Sequence, residues 1–205
     1  MNPSLFLELE EAVNAVEPRV LEGYNPGLSD AEIDALMKNV SFDLPDDLRA
    51  LYQWKNGSES GQGFLGNYIQ MFPLSQGESS FIREEIREAH LSIDEPVPIE
   101  LDTREFVYLF DDGGDGTTII ATFSTEGSQS CAIFQNYQDD FPMIGMMFRG
   151  VEPMIQTAIE AWRSGISTSI EDHRGRKLDY EFKDWFALGR RMNPDCNYWL
   201  DGAKQ

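Results

Sequence analysis

The run Asp111-Asp112-Gly113-Gly114-Asp115-Gly116 is the place in this chain where carboxylates are best grouped for chemistry. Three Asp side chains among glycines offer oxygen ligands of the kind that hold Ca²⁺. An EF-hand loop begun at Asp111 would put Gly113 at its third position and Thr122 at its twelfth, where a bidentate Glu belongs. A hairpin turn accounts for the glycines without an ion. The sequence therefore assigns no metal and no cofactor. His90 and His173 are the only two histidines, and neither has a partner at a catalytic spacing. His90 follows an expected helix, where its charge would suit the C-terminal end of the dipole. HExxH, GxSxG, CxxC and phosphate-loop sequences are all missing. Cys131 and Cys196 stand far apart, outside any metal-ligand spacing, and read as reduced, packed thiols. Paired carboxylates are too common among 36 acidic residues to single out a glycosidase pair. No catalytic residue is assigned and no enzyme is expected; an enzyme would need a pocket converging on His90 or on the Asp111–Asp115 acids.

Charge narrows the partners the chain could have. The net charge is −20, carried unevenly: residues 1–150 hold 27 acidic and 8 basic side chains, residues 151–205 hold 9 and 8. Such a surface repels nucleic-acid phosphates and anionic membranes, so neither is an expected partner. It speeds encounter with a basic protein. Solubility alone also explains an acidic chain, so charge by itself leaves both readings open. The exposed acids expected to meet a partner are Asp111, Asp112 and Asp115, with Asp139 and Asp140 in the following loop.

The elements that position these acids are legible in outline. The N-terminal MNPSLFLELEEAVNAVEP places Phe6, Leu9, Val13 and Val16 on one helical face, and its lack of a basic segment argues against a signal peptide. No apolar run is long enough to span a bilayer. With reduced thiols, this predicts a cytoplasmic protein. Ser29 and Glu32 form a capping box ahead of Ile33, Leu36 and Met37. Pro45 suits the first turn of a second helix, with Asp43 as its cap, Asp46 and Asp47 complementing its dipole, and Leu44, Leu48, Leu51 and Tyr52 as its buried stripe. Asn56-Gly57 reads as its left-handed stop. Gly57 to Gly66 reads as a loop, Asn67 to Phe72 as a strand, and Ser79 to Ala89 as a helix capped by Ser79 or Ser80. Glu105 to Phe110 and Thr117 to Phe123 read as a hairpin, and Ser130 to Gln135 as a third strand. Val151, Met154, Ile155, Ala158, Ile159 and Trp162 trace a helix ended by Gly165. Ser-rich residues 166–172 read as a linker, Arg174, Arg176 and Lys177 as a small basic turn, and Tyr180 to Arg191 as a last helix stopped by Asn193-Pro194. Helices, then strands, then helices make the expected fold class α+β.

Leu44, Pro45, Asp46, Leu48, Leu51, Tyr52, Trp54, Asn56 and Gly57 together resemble the N-terminal signature of the SMI1/KNR4 domains, the SUKH superfamily. Phe72-Pro73-Leu74 resembles that family's next short strand, Val107 to Phe123 its glycine-rich hairpin, and Val151 to Trp162 its closing helix. The chain departs from the pattern at Val97-Pro98, where many members carry Trp before the Pro. The resemblance implies a single SMI1/KNR4-like domain over 28–165, an antiparallel-rich sheet flanked by helices. Residues 1–27 would form an N-terminal helix and connector, and 166–205 a helical extension packed on the domain. Leu44, Pro45, Leu48, Trp54, Asn56 and Gly57 would then be structural. The resemblance also implies function: many bacterial members are immunity proteins that neutralise toxin domains, often nucleases, whose phosphate-holding surfaces are basic. Fungal members suggest the alternative, a regulatory or scaffolding protein in cell-wall or signalling pathways.

Overall fold

A computed structural model describes residues 2–40, 42–59, 63–66, 70–74, 82–88, 101–111, 117–124, 130–137, 143–172, 175–180 and 182–201. The chain begins with α1 (Ser4–Asn14), which buries Leu5, Phe6, Leu9, Ala12 and Val13. These positions recur at helical spacing, so one face is apolar. Val16 lies past the helix end and is 44% exposed, so it is not part of that face. The strand β1 (Tyr24–Pro26) precedes α2 (Asp30–Met37). The expected capping box is present: Glu32 N–H donates to the Ser29 hydroxyl and Ser29 N–H to the Glu32 carboxylate at 2.8 Å.

The helix α3 (Asp46–Trp54) begins directly after Pro45, which holds the N-cap position with no side-chain cap. Asp43 is therefore not its cap. The helix stops because Lys55 turns extended and opens β2 (Lys55–Ser58), which pairs antiparallel with β1. Asn56 and Gly57 thus lie in a strand rather than at a helix cap, and residues 57–58 of the expected loop are strand. Gly57 does adopt a left-handed φ of +83°. A Cβ there would stand 2.8 Å from the Pro73 nitrogen, so close approach of residues 72–74 demands glycine as much as the angle does.

Five strands form the main sheet: β3 (Gln70–Met71), β4 (Arg104–Asp111), β5 (Thr117–Ser124), β6 (Ala132–Tyr137) and β7 (Met143–Phe148), adjacent in that order and antiparallel throughout. The expected hairpin and third strand are there, extended by β7. Alternation sorts the side chains between two faces. Val107, Ile119, Ala121, Phe123 and Ile133 join the principal core with Leu9, Leu48, Leu51 and Tyr52 of α1 and α3 and with α5 (Val151–Arg163). Phe106, Ile120 and Phe134 point the other way and meet Ile82 and Ile86 of a helix over 82–88, here α4. The proposed caps Ser79 and Ser80, like residues 67–69 of the expected strand before β3, lie outside the described residues.

The helix α5 ends before Gly165, whose φ is +74°. Residues 166–172 are not a linker: β8 (Ser167–Asp172) and β9 (Gly175–Tyr180) form a separate antiparallel hairpin. Two helices follow, α6 (Phe182–Met192) and α7 (Asn197–Asp201). Trp185, Leu188 and Trp199 are buried in the principal core. The fold is α+β.

Candidate functional site

Register fixes where the acidic connections leave the sheet. Asp111 pairs with Gln70 and Thr118, Thr117 with Tyr137, and Tyr137 with Met143. The strand ends that flank 112–116 and 138–142 therefore lie side by side at one end of the sheet. Asp111 is the last residue of β4 and is partly buried. Asp112, Asp115, Asp139 and Asp140 lie outside the described residues, as do His90 and His173. What the described backbone brings together is the pair of strand junctions from which these acids depart.

Among the described residues, several arginines pair with acids of the same chain. Arg49 binds Asp30 at 2.9 Å and Asp34 at 2.7 Å, and Gln53 donates to Asp30 at 2.8 Å. The Asp34 carboxylate, and Asp30 after it, hold the Arg49 guanidinium above its ordinary range. Arg83 meets Glu105 at 3.3 Å, Arg87 meets Asp102 at 3.0 Å, Arg163 meets Glu8 at 3.5 Å and Arg191 meets Glu160 at 2.9 Å. Apart from the part-buried Arg83–Glu105 pair, these are surface pairs, which add little stability. Each pair cancels one acid against one base, so the excess of 36 acids over 16 bases, a net charge of −20, remains to set a strongly negative field.

The signature residues are structural in their contacts. Leu44 and Leu48 are buried. Trp54 stacks on Phe6 with ring centroids 4.9 Å apart and donates its indole N–H to Glu10 at 2.8 Å, tying α3 to α1. The Asn56 side chain accepts the Leu74 N–H at 2.8 Å. Gly57 provides the clearance for Pro73. Each of these residues joins two segments of the scaffold.

Asp47 has a role that its place in the first turn of α3 does not reveal. It is buried, and its carboxylate accepts the N–H of Leu48 at 2.9 Å, of Cys131 at 3.2 Å and of Val151 at 3.3 Å. It thereby caps α5, whose own N-cap residue Gly150 has no side chain to do so. The Cys131 thiol donates to the same carboxylate at 3.5 Å. Burial first, and Asp47 second, push that thiol well above its ordinary pKa, so it stays protonated and unreactive. Burial raises Cys196 as well. Both cysteines are free and buried.

Among the described residues, no group of three or more His, Cys, Asp or Glu side chains is placed to hold a metal ion. Among the same residues, no helix is long and apolar enough to cross a membrane.

No curated protein matches the chain. The family model of SMI1 / KNR4 (SUKH-1) matches residues 27–142. That span runs from the connector before α2 to the residue before β7, taking in the Leu-Pro-Asp helix, the Asn-Gly strand and most of the antiparallel sheet. It exceeds half of the chain, and the chain belongs to the SMI1/KNR4 (SUKH-1) family.

Proposed function

We propose that this chain is a non-enzymatic, cytoplasmic protein-binding module that neutralises a basic bacterial toxin domain, acting as an immunity protein. The observation that carries the reading is the coincidence of charge and topology. A net charge of −20 is concentrated in residues 1–150, and the strand ends flanking the Asp111–Asp115 and Asp139–Asp140 acids leave the sheet together. A nuclease holds its substrate's phosphates with Lys and Arg, and an acidic surface can occupy that ground by the same electrostatics. SMI1/KNR4 domains are generally non-catalytic, which agrees with thiols that are buried and protonated here.

The test is capture of partners by the tagged chain across a salt series, followed by co-expression. One basic protein, lethal alone and harmless beside this chain, would support the reading. A set of partners from one pathway, none of them toxic, would replace it with the regulatory reading.

A further inference from the structure

The face of the main sheet that α4 covers changes character along its length. Ile120 and Phe134 are buried with Ile82 and Ile86 of that helix. Two positions along each strand, on the same face, stand Thr118 and Asn136. They are register partners, and their row continues through Asp111 to Gln70. Side chains directly opposite across antiparallel strands share a face. Gln70, Asp111, Thr118 and Asn136 therefore make a polar row across β3, β4, β5 and β6. It lies at the end of the sheet from which 112–116 and 138–142 depart.

Asn136 is 3% exposed, whereas Gln70, Asp111 and Thr118 are only partly buried, so the row runs from a deep amide to shallower neighbours. Asn136 Nδ2 and Thr118 Oγ1 are both buried atoms without a hydrogen-bond partner among the described residues. A polar group buried this way costs free energy that an apolar side chain of the same shape would not. Each such group calls for an explanation. Thr122 Oγ1 is unpartnered too, but it stands opposite Phe106 in the apolar part of the face. Thr118 and Asn136 differ in being two such groups side by side, one strand from a carboxylate.

We propose that Asn136 and Thr118 hold a main-chain carbonyl of a basic protein partner, at an arginine whose guanidinium meets Asp111. This rests on the reading that the acidic sheet end is the binding surface, and it names what that surface grips. Nδ2 only donates, so what satisfies it must accept. A carboxylate or phosphate acceptor would be repelled by Asp111 and by the net charge of −20, whereas a neutral peptide carbonyl is not. A planar guanidinium is the cation that best matches a carboxylate. From Asp111 to Asn136 is two strand spacings, about 10 Å. One arginine residue is long enough for its carbonyl to meet the amide while its guanidinium meets the acid.

The experiment titrates the full ¹⁵N-labelled chain with the capped tripeptide acetyl-Gly-Arg-Gly-amide and, for comparison, acetyl-Gly-Glu-Gly-amide. The expected result is a saturable NMR shift of the Asn136 side-chain NH₂ with the arginine peptide alone. Thr118→Val and Asn136→Leu should each weaken this binding by about tenfold, the latter read at the Thr118 amide. Their urea midpoints should equal or exceed that of the unmodified chain, because each removes an unsatisfied group. Thr122→Val removes such a group outside the row, so it should match them in stability and leave peptide affinity unchanged. If the arginine peptide moves resonances only at scattered acids, charge alone attracts it and the proposal fails. It fails too if Thr118→Val and Asn136→Leu bind as the unmodified chain does, or if Thr122→Val weakens binding as much as they do. Should Asn136→Leu unfold the chain, Thr118→Val decides alone. Each of these failures leaves the toxin-binding reading to its own capture test, and saturable peptide binding beside an empty capture would keep the site and remove that reading.

Discussion

Asp47 and Cys131 are 84 residues apart in sequence, yet the Cys131 amide donates to the Asp47 carboxylate at 3.2 Å. The same carboxylate takes Val151 N–H, 104 residues away, so one side chain of α3 joins the start of β6 to the start of α5. Removing an acceptor from several buried donors leaves each of them unsatisfied. Asp47→Asn should therefore cost about 3 kcal/mol in urea unfolding, since any orientation of its amide turns an NH₂ toward donors. Asp46, next to it and exposed, should tolerate the same change within about 0.5 kcal/mol. Equal losses at the two positions would show that dipole charge, rather than the buried hub, is what matters.

This pair also marks the limit of what could be read from residues alone. The Ser29–Glu32 box, the β4–β5 hairpin and the apolar stripe of α5 are set by neighbours within a few residues, and their patterns announce them. Asp47 satisfied a local rule, charge at a helix N-terminus, and that sufficient explanation hid partners brought in by tertiary folding. Asn56-Gly57 announced a left-handed residue but not its setting, because Pro73 lies 16 positions further on. The strand β7 has no polar alternation to betray it, since its sequence is apolar on both faces. The β8–β9 hairpin has the Ser-rich, charged composition of a linker, and only cross-strand pairing makes it a hairpin. At the candidate site the acids were visible as a run of residues, whereas the adjacency of the two connections depends on β7.

Gly57 and Gly165 separate two costs that sequence cannot tell apart. Both have a left-handed φ, +83° and +74°. A Cβ on Gly57 would press into Pro73 at 2.8 Å from its nitrogen, whereas one on Gly165 meets nothing within 4 Å. Gly165→Ala should cost about 1 kcal/mol, the backbone strain alone. Gly57→Ala should cost about 2–3 kcal/mol, because residues 72–74 must also move. Thermal unfolding of the two variants side by side checks the difference, and matching shifts would remove the packing contribution.

Alkaline pH should weaken the fold through two buried groups. Burial and Asp47 raise the Cys131 thiol well above 9.0, and burial raises the Tyr24 hydroxyl far above 10.0. Below the unfolded values both groups are protonated in both states, and their contribution is complete. As pH rises past about 9, the unfolded chain releases protons that the native state retains, so stability falls with pH. Cys131→Ser keeps a donor toward Asp47 and does not titrate in this range. Between about pH 9 and 10.5 its urea midpoint should fall less than that of the unmodified chain. Tyr24→Phe should behave likewise above about pH 10, and at neutral pH should cost about 1 kcal/mol, since its buried hydroxyl lies beside the Ser58 side chain and the Phe64 backbone. Curves parallel to the unmodified chain's at every pH would assign the alkaline loss to other groups.

The acids at the sheet end make the sharpest functional prediction, because rate and salt dependence report on charge separately from packing. The strand ends that flank residues 112–116 and 138–142 are neighbours in the sheet, and under the proposed function a basic partner is steered to that end by Asp112, Asp115, Asp139 and Asp140. Replacing two of them by Lys should slow association by about tenfold at low salt and flatten its salt dependence, with a smaller change in dissociation. Asp30 on α2 provides the comparison. Its carboxylate is already engaged by Arg49 and Gln53, so Asp30→Asn should leave association within about twofold. Stopped-flow mixing with the captured partner at two or more salt concentrations distinguishes the cases. Slowing by Asp30→Asn as large as that from the loop variants would move the contact to α2. Unchanged rates in both would leave overall charge as a matter of solubility and remove the sheet end from the binding surface.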